Sequence, residues 1–423
     1  MPKYLIIGNS AGGTGAAEAI REVDKDGAIT IISDEPYPVY SRPLISEYLS
    51  GERSLEGMLY RPPDFYAGNH IEARLGQKVA RLHLAAREAE LETGERFGWE
   101  KLLLATGGVP IVPAMEGMTR RGISTFTNLD DAKAIETLKT QVKRVVVIGG
   151  GLIGMSITEA LLKLKIEVAV VELMDRVLGT LLDESASRLV EKALLGEGVR
   201  LFTGRTVKAI LGSEGDEAVV GGVVLSDGQK LDCDLVVVAI GVSPRTQLVK
   251  DTAIRVNRGI VVDSHMATNV PDVYACGDVA EAYDRIYGTH RLTPIWPNAY
   301  VGGRVAGYNM AGKVTEYPGS TSANSLKYFG LPIVTAGLVN PPAKDGYEAL
   351  SRAEGDVYKK VVLKDGRMVG LIFMGDIQPS GVVFGLMREG VEVAAFKDAL
   401  LADDFGLSYL PDKMRQDKLK THR

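Results

Sequence analysis

One supersecondary unit is written twice in this chain, and that duplication constrains the fold more than any other feature. Residues 3–8 form a short apolar run closing on glycine; a Gly/Ser/Ala turn, an alanine-rich stretch from Thr14 to Val23 and a second apolar run at 28–33 follow. The same order returns at 144–174: an apolar run, the loop Gly150-Gly151-Leu152-Ile153-Gly154, a helical stretch from Met155, and the run Glu167 to Leu173. Apolar runs too short for helices, stopped by glycine and followed by a helix and another run, read as strand–loop–helix–strand units of a parallel sheet. Two copies imply two parallel-sheet domains.

The 423 residues are about three times the ~150-residue one-domain prior, so two or three domains are expected. Glycine contributes 48 of them, and the excess gathers at strand ends rather than in linkers. The net charge of −5 argues against a nucleic-acid partner, which calls for a basic face. No apolar run reaches the ~18–20 residues that cross a bilayer, and the first apolar run is too short for a signal sequence. The expected location is therefore the cytoplasm, without a membrane partner. His70, His83, His265, His290 and His422 show no ligand spacing, so no metal is assigned. Cys233 and Cys276 are too few for a disulfide scaffold, a cysteine-rich zinc site or an all-cysteine iron–sulfur cluster.

The second loop carries the sharper chemistry, Gly149-x-Gly151-x-x-Gly154, directly after a strand and opening a helix. The first glycine makes the tight turn, the second lets backbone approach a pyrophosphate, and the third lets the helix pack on the strand. Gly151, Leu152 and Ile153 then present free N–H groups to phosphate oxygens at the helix N-terminus. Glu172, 18 residues beyond Gly154, ends the next strand, where a carboxylate bonds ribose hydroxyls and repels a 2′-phosphate. NADH is therefore expected over NADPH. The first loop reads Gly8-x-Ser10-x-x-Gly13, with Ala11 and Gly12 inside it and serine at the middle position. Asp34 or Glu35 is the ribose partner there, and Arg42 is placed to neutralise phosphate or flavin charge. Two loops with acidic partners imply two dinucleotides, one a donor and one a bound cofactor.

The stretch 113–143 reads as a connector, and residues 231–241 as a buried strand stopped by Gly241. Two alternating runs at 358–373 flank Asp365-Gly366, a hairpin signal. Helical stretches at about 380–389 and 394–402 complete an α+β tail. Val382, Val383, Leu386 and Met387 give the first of these an apolar face suited to a core or a dimer interface.

Glu100-Lys101…Ala105-Thr106-Gly107, Val236…Gly241-Val-Ser-Pro244 and Val273-Tyr-Ala-Cys-Gly277-Asp278 follow in order between and after the two glycine loops. Together they resemble the pyridine nucleotide-disulfide oxidoreductase superfamily from residue 1 to about 312. The resemblance implies an α/β fold with two Rossmann-like three-layer domains, the NAD domain inserted in the FAD domain, and a small α+β C-terminal interface domain. The implied boundaries are 1–115 and 246–316 for FAD, 116–245 for NAD and 317–423 for the last domain. Gly277 and Asp278 would hold the FAD ribityl chain, Ala105 to Gly107 would form a crossover near the FAD, and Val79 and Trp296 join the expected cofactor contacts. The helix Pro297 to Ala311 would point its N-terminus at the N1/O2 side of the isoalloxazine.

The cysteines choose the branch. Thiol-using members need a cysteine pair near the flavin or one near residue 43, and the segment here is Val39-Tyr-Ser-Arg-Pro-Leu-Ile-Ser46. Cys233 and Cys276 read as packing residues. What remains resembles rubredoxin and ferredoxin reductases, the flavin part of nitrite reductase and the NADH-binding flavoprotein subunits of anaerobic oxidoreductase complexes. Relatives often carry a lysine and a glutamate paired beside the flavin; Glu47 and Ser156 stand there instead, with Glu159 one turn further on. The implied activity is hydride transfer between NAD(H) and FAD, then single electrons to a rubredoxin, a ferredoxin or an iron–sulfur subunit, with no catalytic side chain named. The alternatives are a peroxide-forming NADH oxidase and a flavin-bearing assembly subunit with little turnover. A homodimer or a place in a larger complex fits either. Lys413, Arg415, Lys418, Lys420 and Arg423 form a basic tail that an acidic carrier could use.

Overall fold

The computed structural model describes residues 2–343 and 345–420, with side chains described up to 416. By its packing the chain resolves into two units. The first comprises residues 1–112, 125–139 and 241–321, and the second 113–124, 140–240 and 322–423.

In the first unit five parallel strands lie in the order Val273–Ala275, Lys101–Leu104, Tyr4–Ile7, Ile29–Ser33, Ile71–Leu75. The central strand is apolar at every position, and its Ile6 pairs with Ile31 on one side and Leu103 on the other. Such a strand is stable only with both faces covered. The helices Ala11–Val23 and Trp296–Met310, together with an antiparallel sheet of Val79–His83, Glu88–Leu91 and Arg96–Gly98, share its core. Strand order reverses between Tyr4–Ile7 and Lys101–Leu104, the place where such sheets open a crevice at their carboxyl ends.

The two helices meet backbone to backbone. A β-carbon on Gly303 would lie 2.0 Å from Gly12 O, and one on Gly307 would lie 2.4 Å from Ala16 O. One on Gly15 would lie 2.7 Å from Tyr300 O, so the seam exists because side chains are missing from it.

The second unit repeats the plan. Its sheet runs Arg200–Phe202, Glu167–Val171, Arg144–Ile148, Leu235–Val238, Ile123–Thr125. The helices Leu152–Lys163 and Glu184–Gly196 and a three-stranded antiparallel sheet accompany it. A five-stranded antiparallel sheet follows, ordered Ala323–Tyr328, Leu331–Gly337, Arg367–Met374, Val357–Lys364, Tyr347–Glu354. Its predicted hairpin turns at Asp365 (φ 49°) and Gly366 (φ 72°), the twist that right-handed strands accept. Val383, Leu386 and Met387 of the helix Ser380–Glu389 are buried, so that apolar face is core.

Several elements differ from the sequence reading. Both loop helices begin three residues early, at Ala11 and Leu152, because the glycine loops supply their first turns, with Ser10 and Gly151 as extended N-caps. The strand expected at 231–241 is two, Lys230–Asp232 and Leu235–Val238; between them Asp234 turns its carboxylate onto the N–H groups of Lys143 and Arg144, 2.8 Å each. The stretch 394–402 is a 3-10 segment with a kink at Phe396. The connector contains a helix, Leu129–Leu138, that packs in the first unit: Arg42 donates to Thr127 O (2.9 Å) and Tyr48 to Glu136 (2.9 Å). In the basic tail Lys413 and Arg415 lie on the helix Asp412–Lys420; Arg423 and the side chains of Lys418 and Lys420 lie outside the described residues.

Candidate nucleotide sites

Each glycine loop is built by contacts that a side chain would break. Gly8 (φ 121°) and Gly149 (φ 109°) adopt backbone that other residues rarely take. A β-carbon there would lie 2.1 Å from Ala105 O and 2.4 Å from Ala239 O respectively. The third glycines press on the first: β-carbons on Gly13 and Gly154 would sit 2.0 and 1.9 Å from Gly8 O and Gly149 O. Gly151 differs, since a β-carbon there would meet nothing within 4 Å. A glycine that faces open space at a helix N-terminus leaves the flanking N–H groups accessible, a setting that suits an anion. In the first loop Ser10 holds the matching place without making a capping hydrogen bond.

The acidic partners are positioned differently in the two halves. Glu172 accepts from Gly150 N and from Met174 N (2.7 Å), so its carboxylate is fixed beside the loop. Glu35 is held by Tyr40 and Arg42, and Asp34 by Arg245 at 2.6 Å. Both acids after the first-unit strand thus face protein donors.

Around the first loop, Arg245 N donates to Gly107 O (2.9 Å), Thr106 Oγ1 donates to Arg245 O (3.0 Å), and Gly108–Pro110 pairs with Val242–Pro244. Ala105, Thr106, Gly107 and Gly241 therefore form one crossover. Gly277 (φ 73°) opens a short turn carrying Asp278, whose carboxyl burial pushes up, against the opposing charge of Arg42. A desolvated carboxylate of this kind fits a ligand that brings hydroxyl groups. Trp296 is the first residue of its helix and lies edge-on to Tyr60 at 5.0 Å, only partly buried, whereas Trp99 is the core tryptophan. Val79 begins its strand at the rim of the first core.

Cys233 and Cys276 are both buried, and burial pushes both thiols up to about 12. Cys276 packs behind the first loop, where a β-carbon on Gly12 would lie 2.8 Å from its Sγ. Glu47 pairs with Arg53 at the surface (2.7 Å). Glu159 accepts from Phe329 N (3.3 Å) and lies 3.8 Å from Lys163.

Three groups that sequence reasoning missed pack on or bond to the segments around these loops. The seam glycines Gly303 and Gly307 had a signal, four-residue spacing on one helix face. Tyr328 and Asp183 had none. Asp183 caps the helix Glu184–Gly196 through Ala186 N (3.0 Å) and accepts from Tyr358 (2.6 Å) and Lys360 (2.8 Å). Burial alone would raise its carboxyl, but these donors prevail and hold it below the usual range. With Thr335 on Leu181 O (2.9 Å), they tie the segment after Glu172 to the C-terminal sheet. Among the described residues no cluster of His, Cys, Asp and Glu could hold a metal, and no helix is long and apolar enough to cross a membrane.

Two Rossmann-like sheets, each with a glycine cradle at a helix N-terminus, define a protein built for two dinucleotides. Comparison with known proteins agrees. The pyridine nucleotide-disulphide oxidoreductase model matches residues 2–320, and the rubredoxin NAD+ reductase C-terminal domain model matches residues 323–391. The chain belongs to the pyridine nucleotide-disulphide oxidoreductase family, oxidoreductases that bind FAD and NAD(H). It is 30% identical over 394 residues to the NAD(P)H nitrite reductase of Bacillus subtilis (strain 168), covering 93% of this chain and 48% of that protein. The chain therefore spans about half the length of that relative. It is also 30% identical over 408 residues to the NADH-dependent phenylglyoxylate dehydrogenase subunit epsilon of Aromatoleum evansii, covering 95% of each. Among solved structures, the ferredoxin reductase for the CYP199A2 system from Rhodopseudomonas palustris superposes with a TM-score of 0.86 at 26% identity, covering 95% of this chain and 98% of that one.

Proposed function

We propose that this chain takes hydride from NADH onto FAD and passes electrons singly to a protein acceptor, either a rubredoxin or ferredoxin type carrier or an iron–sulfur partner subunit, without a redox cysteine. The observation that carries this reading is the state of the thiols. Both are buried with their titration pushed far above neutrality, so neither supplies the thiolate that a disulfide relay needs. The match of the tail to a rubredoxin reductase domain, and the likeness along the whole chain to a subunit of an NADH-dependent dehydrogenase, favour a protein acceptor.

In this reading the first unit holds FAD. Gly8, Ser10, Ala11, Gly12 and Gly13 offer backbone N–H groups to its pyrophosphate, and Asp278 accepts from ribityl hydroxyls. The N-terminus of the helix Trp296–Met310, about half a positive charge, would favour negative charge on the reduced ring. The second unit holds NAD(H): Gly149, Gly151, Leu152, Ile153 and Gly154 surround the pyrophosphate, while Glu172 accepts from ribose hydroxyls and repels a 2′-phosphate. Bound FAD supplies the change from a two-electron hydride to single electrons.

The test is anaerobic reduction of the FAD-loaded protein by NADH and by NADPH, followed by rubredoxin, ferredoxin or oxygen as acceptor. Reduction by NADH with onward transfer to a protein carrier is expected, and the Cys233→Ala/Cys276→Ala variant should keep that transfer. Loss of carrier reduction in this variant with FAD content intact would refute the thiol-free route. Rapid turnover with oxygen alone would instead make the chain an NADH oxidase.

A further inference from the structure

Ser156 lies two residues beyond the second glycine loop, and the structure supplies it with a partner. The strands Ala323–Tyr328 and Leu331–Gly337 join through Phe329 (φ 51°) and Gly330 (φ 79°), with Tyr328 paired to Leu331. This tight hairpin fixes the direction of its tip. Tyr328, 5% exposed, places its hydroxyl 3.1 Å from Leu152 O and 3.1 Å from Ser156 Oγ. The next residue donates its N–H to Glu159 (3.3 Å). Leu152, Ser156 and Glu159 are spaced four and three residues apart, so the hairpin tip follows one face of the helix Leu152–Lys163.

The proton assignments are forced. A tyrosine hydroxyl has one hydrogen, and a carbonyl only accepts. Tyr328 therefore donates to Leu152 O, and Ser156 donates to Tyr328. Burial pushes the Tyr328 hydroxyl up to about 12, so it remains a donor at any working pH. The Leu152 carbonyl shares one rigid peptide plane with the Ile153 N–H. Pinning the oxygen of that plane also aims its N–H, and this N–H lies in the turn expected to meet the NAD pyrophosphate.

We infer that Tyr328 is a positioning residue of the NAD site: through Leu152 O and Ser156 it holds the first turn of the dinucleotide helix in the orientation that receives the phosphates. This makes the C-terminal sheet a component of nucleotide binding. It rests on the assignment of the 149–154 loop to NAD.

The test titrates FAD-loaded protein with NAD+ by calorimetry for the parent, Tyr328→Phe, Ser156→Ala, the double variant and Gly151→Val. Tyr328→Phe keeps the ring and should raise the NAD+ Kd roughly two- to tenfold, the range of one net hydrogen bond. FAD content and kcat at saturating NADH should stay near the parent. The Ser156→Ala effect should shrink once Tyr328→Phe is present, because the two groups share one bond. In the NAD+-loaded protein, amide exchange at Ile153 should be faster in Tyr328→Phe than in the parent, which a purely structural contact elsewhere would not produce. If Gly151→Val loses NAD+ and Tyr328→Phe binds like the parent, the Tyr328 role is wrong and the site stands. If Gly151→Val also binds like the parent, the site assignment is wrong and both fall.

Discussion

The Gly151 position allows the cradle to be tested apart from the fold. An added β-carbon meets no protein atom within 4 Å, and the backbone there (φ −82°, ψ −169°) is open to any residue. Gly151→Val therefore carries no internal clash. Its costs and gains are small: valine is a poorer N-cap than glycine by roughly 1 kcal/mol, and reduced freedom in the unfolded chain returns about 0.4–1 kcal/mol. The thermal midpoint should stay within about 4 °C of the parent. With dinucleotide present, three apolar carbons would occupy the space that pyrophosphate oxygens need. Overpacking of that order costs about 1–3 kcal/mol, or roughly 5- to 150-fold in Kd. The assays are calorimetric NAD+ titration, differential scanning of the nucleotide-free protein, and FAD content by absorbance. Weak NAD+ binding with native stability and full FAD is expected. Binding within twofold of the parent, in a protein that melts normally, would show that the pyrophosphate does not approach this loop.

Three further outcomes follow from single groups. Glu172→Gln leaves one oxygen where two backbone N–H groups now bind, so NADH should bind roughly 10- to 100-fold more weakly and the preference over NADPH should narrow, read as a ratio of kcat/KM values. Asp278→Asn should release FAD on dilution while leaving the FAD-free protein as stable or more so. Because the folded carboxyl is raised above its ordinary ~3.9, the FAD-free parent binds more protons folded than unfolded. It should gain stability as pH falls from that raised value towards ~3.9, a gain the asparagine variant should lack. Lys359 is 0% exposed and bonded to Asp376 (2.7 Å) and Asp403 (2.8 Å). Lys359→Met should be neutral or stabilising in urea titration, since both acids retain contact with solvent. Removing both acids should instead cost about 3–5 kcal/mol by stranding the cation.

What the sequence disclosed was local. Strands such as Tyr4–Ile7 and Arg144–Ile148 are unbroken apolar runs ending in glycine, and their pairing follows from burial on both faces. The geometry of the glycine loops was legible for the same reason, because a glycine fingerprint reports backbone conformation within a few residues. The rest depended on partners far along the chain. Ser156 meets Tyr328 across 172 residues, and Arg245 meets Asp34 across 211. No periodicity encodes such pairs. The helix Leu129–Leu138 looked like part of a connector because its own pattern is weak; its place is set by Arg42 and Tyr48, nearly ninety residues earlier. Boundaries shifted for a physical reason too: glycine is a poor helix former, yet the first turns of both loop helices are built from it.

The glycine seam between the helices Ala11–Val23 and Trp296–Met310 bears on how such a protein can change. A core of side chains drifts by compensation, one residue shrinking as its neighbour grows. Where Gly303 and Gly307 rest on the backbone of Gly12 and Ala16, no rotamer exists to trade. Mutation there cannot be repaired from across the contact, so these positions should be the last to vary among functional clones of a randomised library. For anyone grafting this unit into another scaffold, the two helices form a single cassette and must be moved together, although nearly three hundred residues separate them.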